Sequence, residues 1–432
     1  MRFVSSRGGG EPVSLSDALR RGIAPDGGLY LPEAIPAAPL DRLGPDLPLP
    51  EFAAALFAPF AAGDALAGEL VSICAAALDS PVPTVAVGAA RPGLHALELF
   101  HGPTGAFKDY GARFLMGCFD RLAEGERLTV LAATSGDTGG AVGCAAEGRR
   151  SVGAAILFPR GRVSAFQEQQ LCCWGDNVLA IEVDGDFDDC QRLVKAAFAD
   201  APLSIGHRLT SANSINLGRL LPQVAYMARA AVELHAASGV RPGFIVPSGN
   251  LGHGYALLLA RAMGLPVGPV VLATNANATL KEWADTGHYR PRPSVATLAN
   301  AMDVGDPSNF ERLRALPSAD RAVRVERVDD DAIRARIVAD ERATGYVWCP
   351  HSATAAEAWA RLPEAERAER PWIAAATAHP YKFAEVVEPL IERALAPSPP
   401  LAAILDRQAR KVRIGASLDR LADVLEERAL AA

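Results

Sequence analysis

Six short, largely apolar runs, at 129–133, 153–158, 178–183, 244–246, 270–274 and 372–376, alternate with stretches of helical periodicity such as 218–237 and 254–264. A strand that is apolar on both faces cannot have water on either side. Such strands require a parallel sheet with helices over both faces, which is an α/β fold. Sheets of this kind bind ligands beyond the carboxyl ends of their strands. Three of these runs end in polar, mostly glycine-rich loops, and the chemistry is expected there.

The first 90 residues read differently. Turn chemistry in Arg21-Gly22-Ile23-Ala24-Pro25-Asp26-Gly27-Gly28-Leu29-Tyr30 feeds an extended segment. A Pro-dense stretch at 32–50 follows, then an Ala/Leu-rich helix at 51–77. We read a small N-terminal domain ending near Pro83 or Pro92. A chain of 432 residues has room for two to three domains. With 50% hydrophobic and 22% charged residues it can bury a large core. A net charge of −7 argues against a nucleic-acid surface. No window approaches the ~20 apolar residues of a membrane span, and residues 1–20 lack a signal-peptide core. The seven cysteines form no C-x-x-C pair and have no histidine at zinc spacing. They read as buried reduced thiols of a cytoplasmic protein, and no metal site is expected.

The sharpest loop is Val246-Pro247-Ser248-Gly249-Asn250-Leu251-Gly252-His253-Gly254. A strand enters, glycines permit close approach, and a helix leaves, so several N–H groups converge beside a helix N-terminus. It reads either as an anion cradle or as a turn that only packs helix on strand. No Lys-Ser/Thr follows, so it is not a Walker A loop. The second loop, Thr134-Ser135-Gly136-Asp137-Thr138-Gly139-Gly140, offers hydroxyls and N–H groups to a carboxylate or phosphate. Its plainer reading is an N-cap turn with Ser135 or Asp137 as the cap. In Phe100-His101-Gly102-Pro103-Thr104-Gly105-Ala106-Phe107-Lys108-Asp109-Tyr110, one lysine stands between an apolar turn and a helical run. Burial would lower its proton affinity and free its amine for imine chemistry, whereas a surface lysine would merely snorkel. Thr377 ends a strand in Ala376-Thr377-Ala378-His379-Pro380-Tyr381-Lys382-Phe383. Ser211-Ala212-Asn213-Ser214-Ile215-Asn216-Leu217-Gly218-Arg219 clusters amides and hydroxyls before a helix. A phosphate cradle, a nucleophilic lysine, a second anion loop and a strand-end hydroxyl together suit pyridoxal phosphate.

On these residues the chain resembles the threonine synthase family of fold-type II pyridoxal-phosphate enzymes. The resemblance rests on Ala24-Pro25-Asp26-Gly27-Gly28-Leu29-Tyr30, Leu97-Glu98-Leu99-Phe100-His101-Gly102-Pro103-Thr104, Phe107-Lys108-Asp109 and Ser135-Gly136-Asp137-Thr138-Gly139. It continues in Phe187-Asp188-Asp189-Cys190-Gln191, Ser211-Ala212-Asn213-Ser214-Ile215-Asn216, Gly305-Asp306-Pro307-Ser308-Asn309-Phe310-Glu311-Arg312 and Thr377-Ala378-His379-Pro380. Each motif is weak alone. Their order separates the chain from cysteine synthases and tryptophan synthase β chains.

The resemblance implies two lobes with open, mostly parallel sheets covered by helices, like the tryptophan synthase β chain, plus a small N-terminal domain. The expected division is 1–90 for that domain and 91–215 for a small mobile lobe with Lys108 and the Ser135–Thr138 loop. Residues 216–432 would form a large lobe with the Gly249–Gly254 loop and Thr377. Lys108 would hold the cofactor covalently and shuttle protons. Gly249, Asn250, Leu251, Gly252 and His253 would bind its phosphate, and Thr377 its ring nitrogen. Asp137 would lie near the ring hydroxyl, set aside or sharing a proton. Ser135, Thr138, Ser214, Asn216, Arg219 and Lys382 would hold the substrate's phosphate and carboxylate. The implied reaction, by a carbon–oxygen lyase, converts O-phospho-L-homoserine and water into L-threonine and phosphate. Monomer and homodimer are both open. His253 stands where the family commonly has Asp or Asn, and Tyr381 where Ala is usual. Cys349-Pro350-His351-Ser352-Ala353-Thr354 replaces a segment closer to Pro-His-Thr-Ala-Val.

Overall fold

A computed structural model describes residues 1–427 apart from Glu124 and Ser135. Its strands are β1 (Phe3–Ser5), β2 (Tyr30–Pro32), β3 (Thr84–Ala86), β4 (Leu94–Glu98), β5 (Leu128–Ala133), β6 (Val152–Pro159) and β7 (Val178–Asp184). They continue as β8 (Leu209–Thr210), β9 (Gly243–Pro247), β10 (Val270–Thr274), β11 (Arg324–Arg327), β12 (Trp372–Ala376) and β13 (Val412–Gly415).

Two sheets form the body. One has the order β11-β10-β9-β12-β4-β3, parallel throughout except for the edge strand β3. The other has the order β13-β7-β6-β5-β8 and is wholly parallel. Every residue of β5, β6, β9, β10 and β12 is buried, as their apolar composition demands. The expected α/β architecture of helix-covered parallel sheets is therefore present.

The sheets cut across the expected boundaries at 91 and 215. β4, placed with the small lobe by sequence, pairs with the distant β12 through registers such as Ala96 with Ala374. β13 leaves the large lobe and pairs with β7. Strand pairing between distant segments leaves no mark in local periodicity, so a contiguous division could not show it.

The N-terminal region pairs β1 with β2 antiparallel. It shares one hydrophobic cluster with the helices Lys108–Leu122 and Leu217–Ser238. Phe57 meets Phe114 edge-on at 5.4 Å between centroids. Asp26 organises the Ala24–Tyr30 motif: it accepts from Ser5 Oγ at 2.7 Å, Gly28 N at 2.9 Å and Gly9 N at 2.8 Å. A Cβ on Gly28 would fall 2.1 Å from Ser5 Oγ, so this glycine is required by close approach. The motif is thus a fold device. Among the described residues no helix is long and apolar enough to cross a membrane.

Candidate active site

β9, β12 and β4 are neighbours in the parallel sheet, so the loops at their carboxyl ends lie side by side. Those loops carry the 249–254 segment, Thr377 and Lys108. The second loop, at 134–140, comes from β5 of the other sheet.

Lys108 opens the helix Lys108–Leu122. The turn before it is fixed from both sides. Asp109 accepts from Thr104 N at 2.8 Å and Thr104 Oγ1 at 2.5 Å. Gly102 has no room for a Cβ, which would lie 2.5 Å from Asp109 Oδ2. Phe107 N donates to Thr377 O at 2.9 Å, and His379 N to Gly105 O at 2.9 Å. These two bonds fasten the lysine turn to the end of β12. The Lys108 side chain keeps part of its surface open, but its amine lies deep in protein. Desolvation lowers its proton affinity; Asp137 opposes that shift, while Lys382 and Arg219 add to it.

Gly249 meets Met302 so closely that a Cβ would lie 2.7 Å from Met302 Cα. Leu251 takes the left-handed conformation at φ 63 and caps the helix Gly252–Ala262. None of the N–H groups of Gly249, Asn250, Leu251, Gly252 or His253 finds an acceptor among the described residues. Five unsatisfied donors at a helix N-terminus suit a phosphate dianion. The loop is held from outside. Asn250 Nδ2 donates to Ser214 Oγ at 2.7 Å, and Asn250 Oδ1 accepts from Ser308 N at 2.6 Å. Asn309 Nδ2 donates to Asn250 O at 3.1 Å. Arg312, fully buried, donates to Asn309 Oδ1 and Ile215 O at 2.6 Å and to Tyr30 O at 3.2 Å. The Gly305–Arg312 motif therefore braces the cradle, and sequence reasoning gave it no such role.

Thr377 N donates to Ser352 Oγ at 2.9 Å, and the Thr377 and Ser352 hydroxyls lie 3.4 Å apart. The Thr377 hydroxyl therefore lies at the end of β12 beside that of Ser352.

The second loop starts the helix Asp137–Ala146. Its N-cap is Gly136, and Thr134 just before it satisfies the first turn: its Oγ1 accepts from Gly136 N at 3.1 Å and Gly139 N at 3.0 Å. Asp137 has another task. Its Oδ1 lies 2.9 Å from Lys382 Nζ, with both side chains buried. The approach angle is not that of a hydrogen bond. Desolvation would raise the Asp137 carboxyl, but Lys382 and then Lys108 outweigh it and hold it down at about 2. Asp137 therefore stays ionised and is not displaced from the site. Thr138 is partly open and its hydroxyl has no partner among the described residues. Ser135 lies outside the described residues.

Two expected substrate contacts are corrected. Lys382 is buried, and its ammonium is spent on Thr104 O at 2.8 Å, Gln170 Oε1 at 2.8 Å and Asp137. Asn216 is fully buried and its amide is likewise committed. Nδ2 donates to Leu19 O at 2.8 Å and Ser211 O at 3.1 Å, and Oδ1 accepts from Gly218 N at 3.0 Å. Asn216 has no donor left for a substrate, and the buried Lys382 ammonium is already engaged by three protein groups. Arg219 differs. It is buried, its Nη1 donates to Ala212 O, its Nε has no partner, and no carboxylate pairs with it among the described residues. Burial brings it down to about 10, so it remains a cation.

His253 stacks on Phe107 at 4.5 Å and 11°, and its Nε2 lies 2.8 Å from Tyr226 Oη. Burial and then Lys108 push it to about 3, so it is neutral. His351, held to about 4 by burial, accepts at Nε2 from Ala301 N at 3.0 Å, beside the cradle. Sequence reasoning missed Tyr226, Gln170 and Ser352. Nothing in the local pattern marks Tyr226 or Gln170, whereas Ser352 lies in the 349–354 segment and was given no role there.

The family profile described as "Pyridoxal-phosphate dependent enzyme" matches residues 82–374. "Threonine synthase N terminus" matches 2–78, and "Threonine synthase, C-terminal" matches 352–425. The threonine synthase of Haemophilus influenzae is 37% identical over 391 residues, 88% of this chain and 89% of that protein. That of Escherichia coli is 36% identical over 403 residues, 91% and 92% of the two chains. The crystal structure of the Escherichia coli threonine synthase superposes with a TM-score of 0.90 at 34% identity, covering 99% of this chain and 100% of that one. A pyridoxal-phosphate-bound threonine synthase from Brucella melitensis gives 0.91 at 33%, covering 99% of each. Maize serine racemase, at 19% identity and a TM-score of 0.53, shares the fold over 71% of this chain and 92% of its own.

Proposed function

The chain belongs to the threonine synthase family of pyridoxal-phosphate-dependent lyases, and from that premise we propose that its substrate is O-phospho-L-homoserine, converted with water to L-threonine and phosphate. Lys108 is the residue that would hold the cofactor, and Gly249, Asn250, Leu251, Gly252 and His253 would receive its phosphate on their free N–H groups. Thr377 would meet the ring nitrogen through its neutral hydroxyl, and Asp137 would face the ring hydroxyl as an ionised acceptor. When bound, pyridoxal phosphate supplies an electron sink for carbanions at the substrate's α and β carbons.

The rest is the work of this chain's own groups. The Lys108 amine, its proton affinity lowered by burial, is the base for the Cα proton and later the acid that returns one. Arg219, a buried cation without a carboxylate partner among the described residues, is suited to an anionic group of the substrate, and the hydroxyls of Thr138 and Ser214 join it on the resemblance. Ser135 joins them on the resemblance alone. The packed stack of Phe107, His253 and Tyr226 walls off one side of Lys108 and keeps water from that face. Seven unpaired cysteines suit a reducing compartment, and we place the activity in the cytoplasm.

The observation that carries this reading is the delivery of Lys108, Thr377 and the glycine cradle by three adjacent parallel strands. The test is a product assay with O-phospho-L-homoserine. Equal amounts of phosphate and threonine are expected. A 2-oxo acid in place of threonine would move the chain to a deaminase-type elimination.

A further inference from the structure

Buried carboxylates in this protein are normally hydrogen-bonded. Asp340 receives Arg91 Nε at 2.8 Å, Arg336 Nη1 at 3.0 Å and Trp348 Nε1 at 2.8 Å. Asp109 receives two bonds from Thr104. Asp137 receives neither a backbone N–H nor a neutral side chain, and the Lys382 ion pair is its only polar contact among the described residues. Lys382, by contrast, is anchored twice more, to the lysine turn through Thr104 O and to the helix Ala165–Cys172 through Gln170. The cation is pinned and the anion is left with unused acceptor capacity. A pair that served only packing would be cheaper as two apolar side chains.

We propose that Lys382 is a positioning residue that acts through Asp137, as the fixed counter-ion that keeps this carboxylate charged and unencumbered beside Lys108. The proposal rests on Lys108 being the cofactor's lysine. Lys382 never touches substrate. Its positive charge opposes the field that Asp137 imposes on the Lys108 amine, so the lysine loses its proton more readily although a carboxylate stands close by. Asp137 in turn keeps its acceptor sites for the cofactor's ring hydroxyl. The other charged or titratable groups around this cluster are Arg219, His351, His253 and Asp109. All four are buried on different helices, apart from Asp109, which shares the helix of Lys108.

Two readouts on the full-length protein test this. One is the pH midpoint of the visible absorbance band of the holoenzyme. The other is the pH dependence of Lys108 acetylation by acetic anhydride in cofactor-free protein, followed by mass spectrometry. Lys382→Met should raise both midpoints by about one pH unit, because Asp137 acts on Lys108 uncancelled. Asp137→Asn should lower both by a similar amount, because the Lys382 charge is then uncancelled. Lys382→Arg should stay near wild type, and the double variant should return toward it. Opposite shifts from the two halves of one ion pair cannot come from general loosening. If Lys382→Met does not fold, Asp137→Asn and Lys382→Arg still decide the matter. Unmoved midpoints, or both single variants shifting the same way, overturn the inference. The absence of any visible band in protein loaded with pyridoxal phosphate would instead overturn the assignment of Lys108.

Discussion

Lys108, Gly249 and Thr377 could be picked out from residue type and position alone. A lysine after an apolar turn, a glycine at a strand-to-helix loop and a hydroxyl at a strand end each name a chemistry. The direction of a side chain is a different matter. Lys382 and Asn216 carry suitable groups on suitable loops, yet both turn inward and spend their bonds on protein. Thr134 takes the N–H groups at the start of the helix Asp137–Ala146, while Ser135 and Asp137 looked equally able by sequence. No period of 2 or 3.6 encodes such choices, because they depend on partners far away in the chain. Gly249→Ala tests the cradle at this scale. Its Cβ would press on backbone at Met302 Cα, so the loop must move. We expect the fold to persist while cofactor affinity drops at least about tenfold, the equivalent of ~1.4 kcal/mol. Equilibrium dialysis against pyridoxal phosphate measures it, and unchanged affinity would show that the close approach at Gly249 is unimportant.

At the scale of elements, the strands were legible and their pairing was not. β5, β6, β7, β9, β10 and β12 all coincide with apolar runs, because strands buried over all or most of their length leave an apolar stretch behind. β13, half-exposed and flanked by charges, leaves no such run. The bracing of the cradle by the helix Phe310–Ala315 was equally hidden. Arg312 joins Tyr30 of β2, Ile215 and Asn309, three segments that meet only in the fold. Arg312→Met should therefore cost about 2–4 kcal/mol of stability, through lost charge-assisted bonds and carbonyls left without donors. It should also speed cofactor loss on dialysis. Arg312→Lys should recover little, since an ammonium cannot reproduce the fork to several carbonyls. A thermal melt and a cofactor-release time course would settle it, and wild-type values for Arg312→Met would remove the bracing role.

Across the whole molecule, the site is buried so deeply that its histidines contribute to stability in a pH-dependent way. His253 and His351 are held to about 3 and about 4 by burial, against ~6.5 in an unfolded chain. Their folded values are depressed, so the neutral form is the one the fold prefers. Stability from this source is complete above about pH 6.5. It falls as the pH drops toward 4, because the unfolded chain takes up protons that the folded one refuses. Each ring contributes a slope of at most about 1.4 kcal/mol per pH unit in that window. The melting temperature should decline between pH 7 and pH 5, and more gently in a His253→Gln/His351→Gln variant. Equal slopes in the two proteins would count against burial of the rings as the cause.

The central claim is that Lys108, the 249–253 cradle and Thr377 form one pyridoxal-phosphate site, and an absorbance spectrum tests it most directly. Protein purified with pyridoxal phosphate and gel-filtered should keep a visible band that sodium borohydride traps as a covalent adduct on Lys108. In Lys108→Ala both the band and the adduct should be lost. A band that survives in Lys108→Ala, or an adduct on any other lysine, would contradict the account.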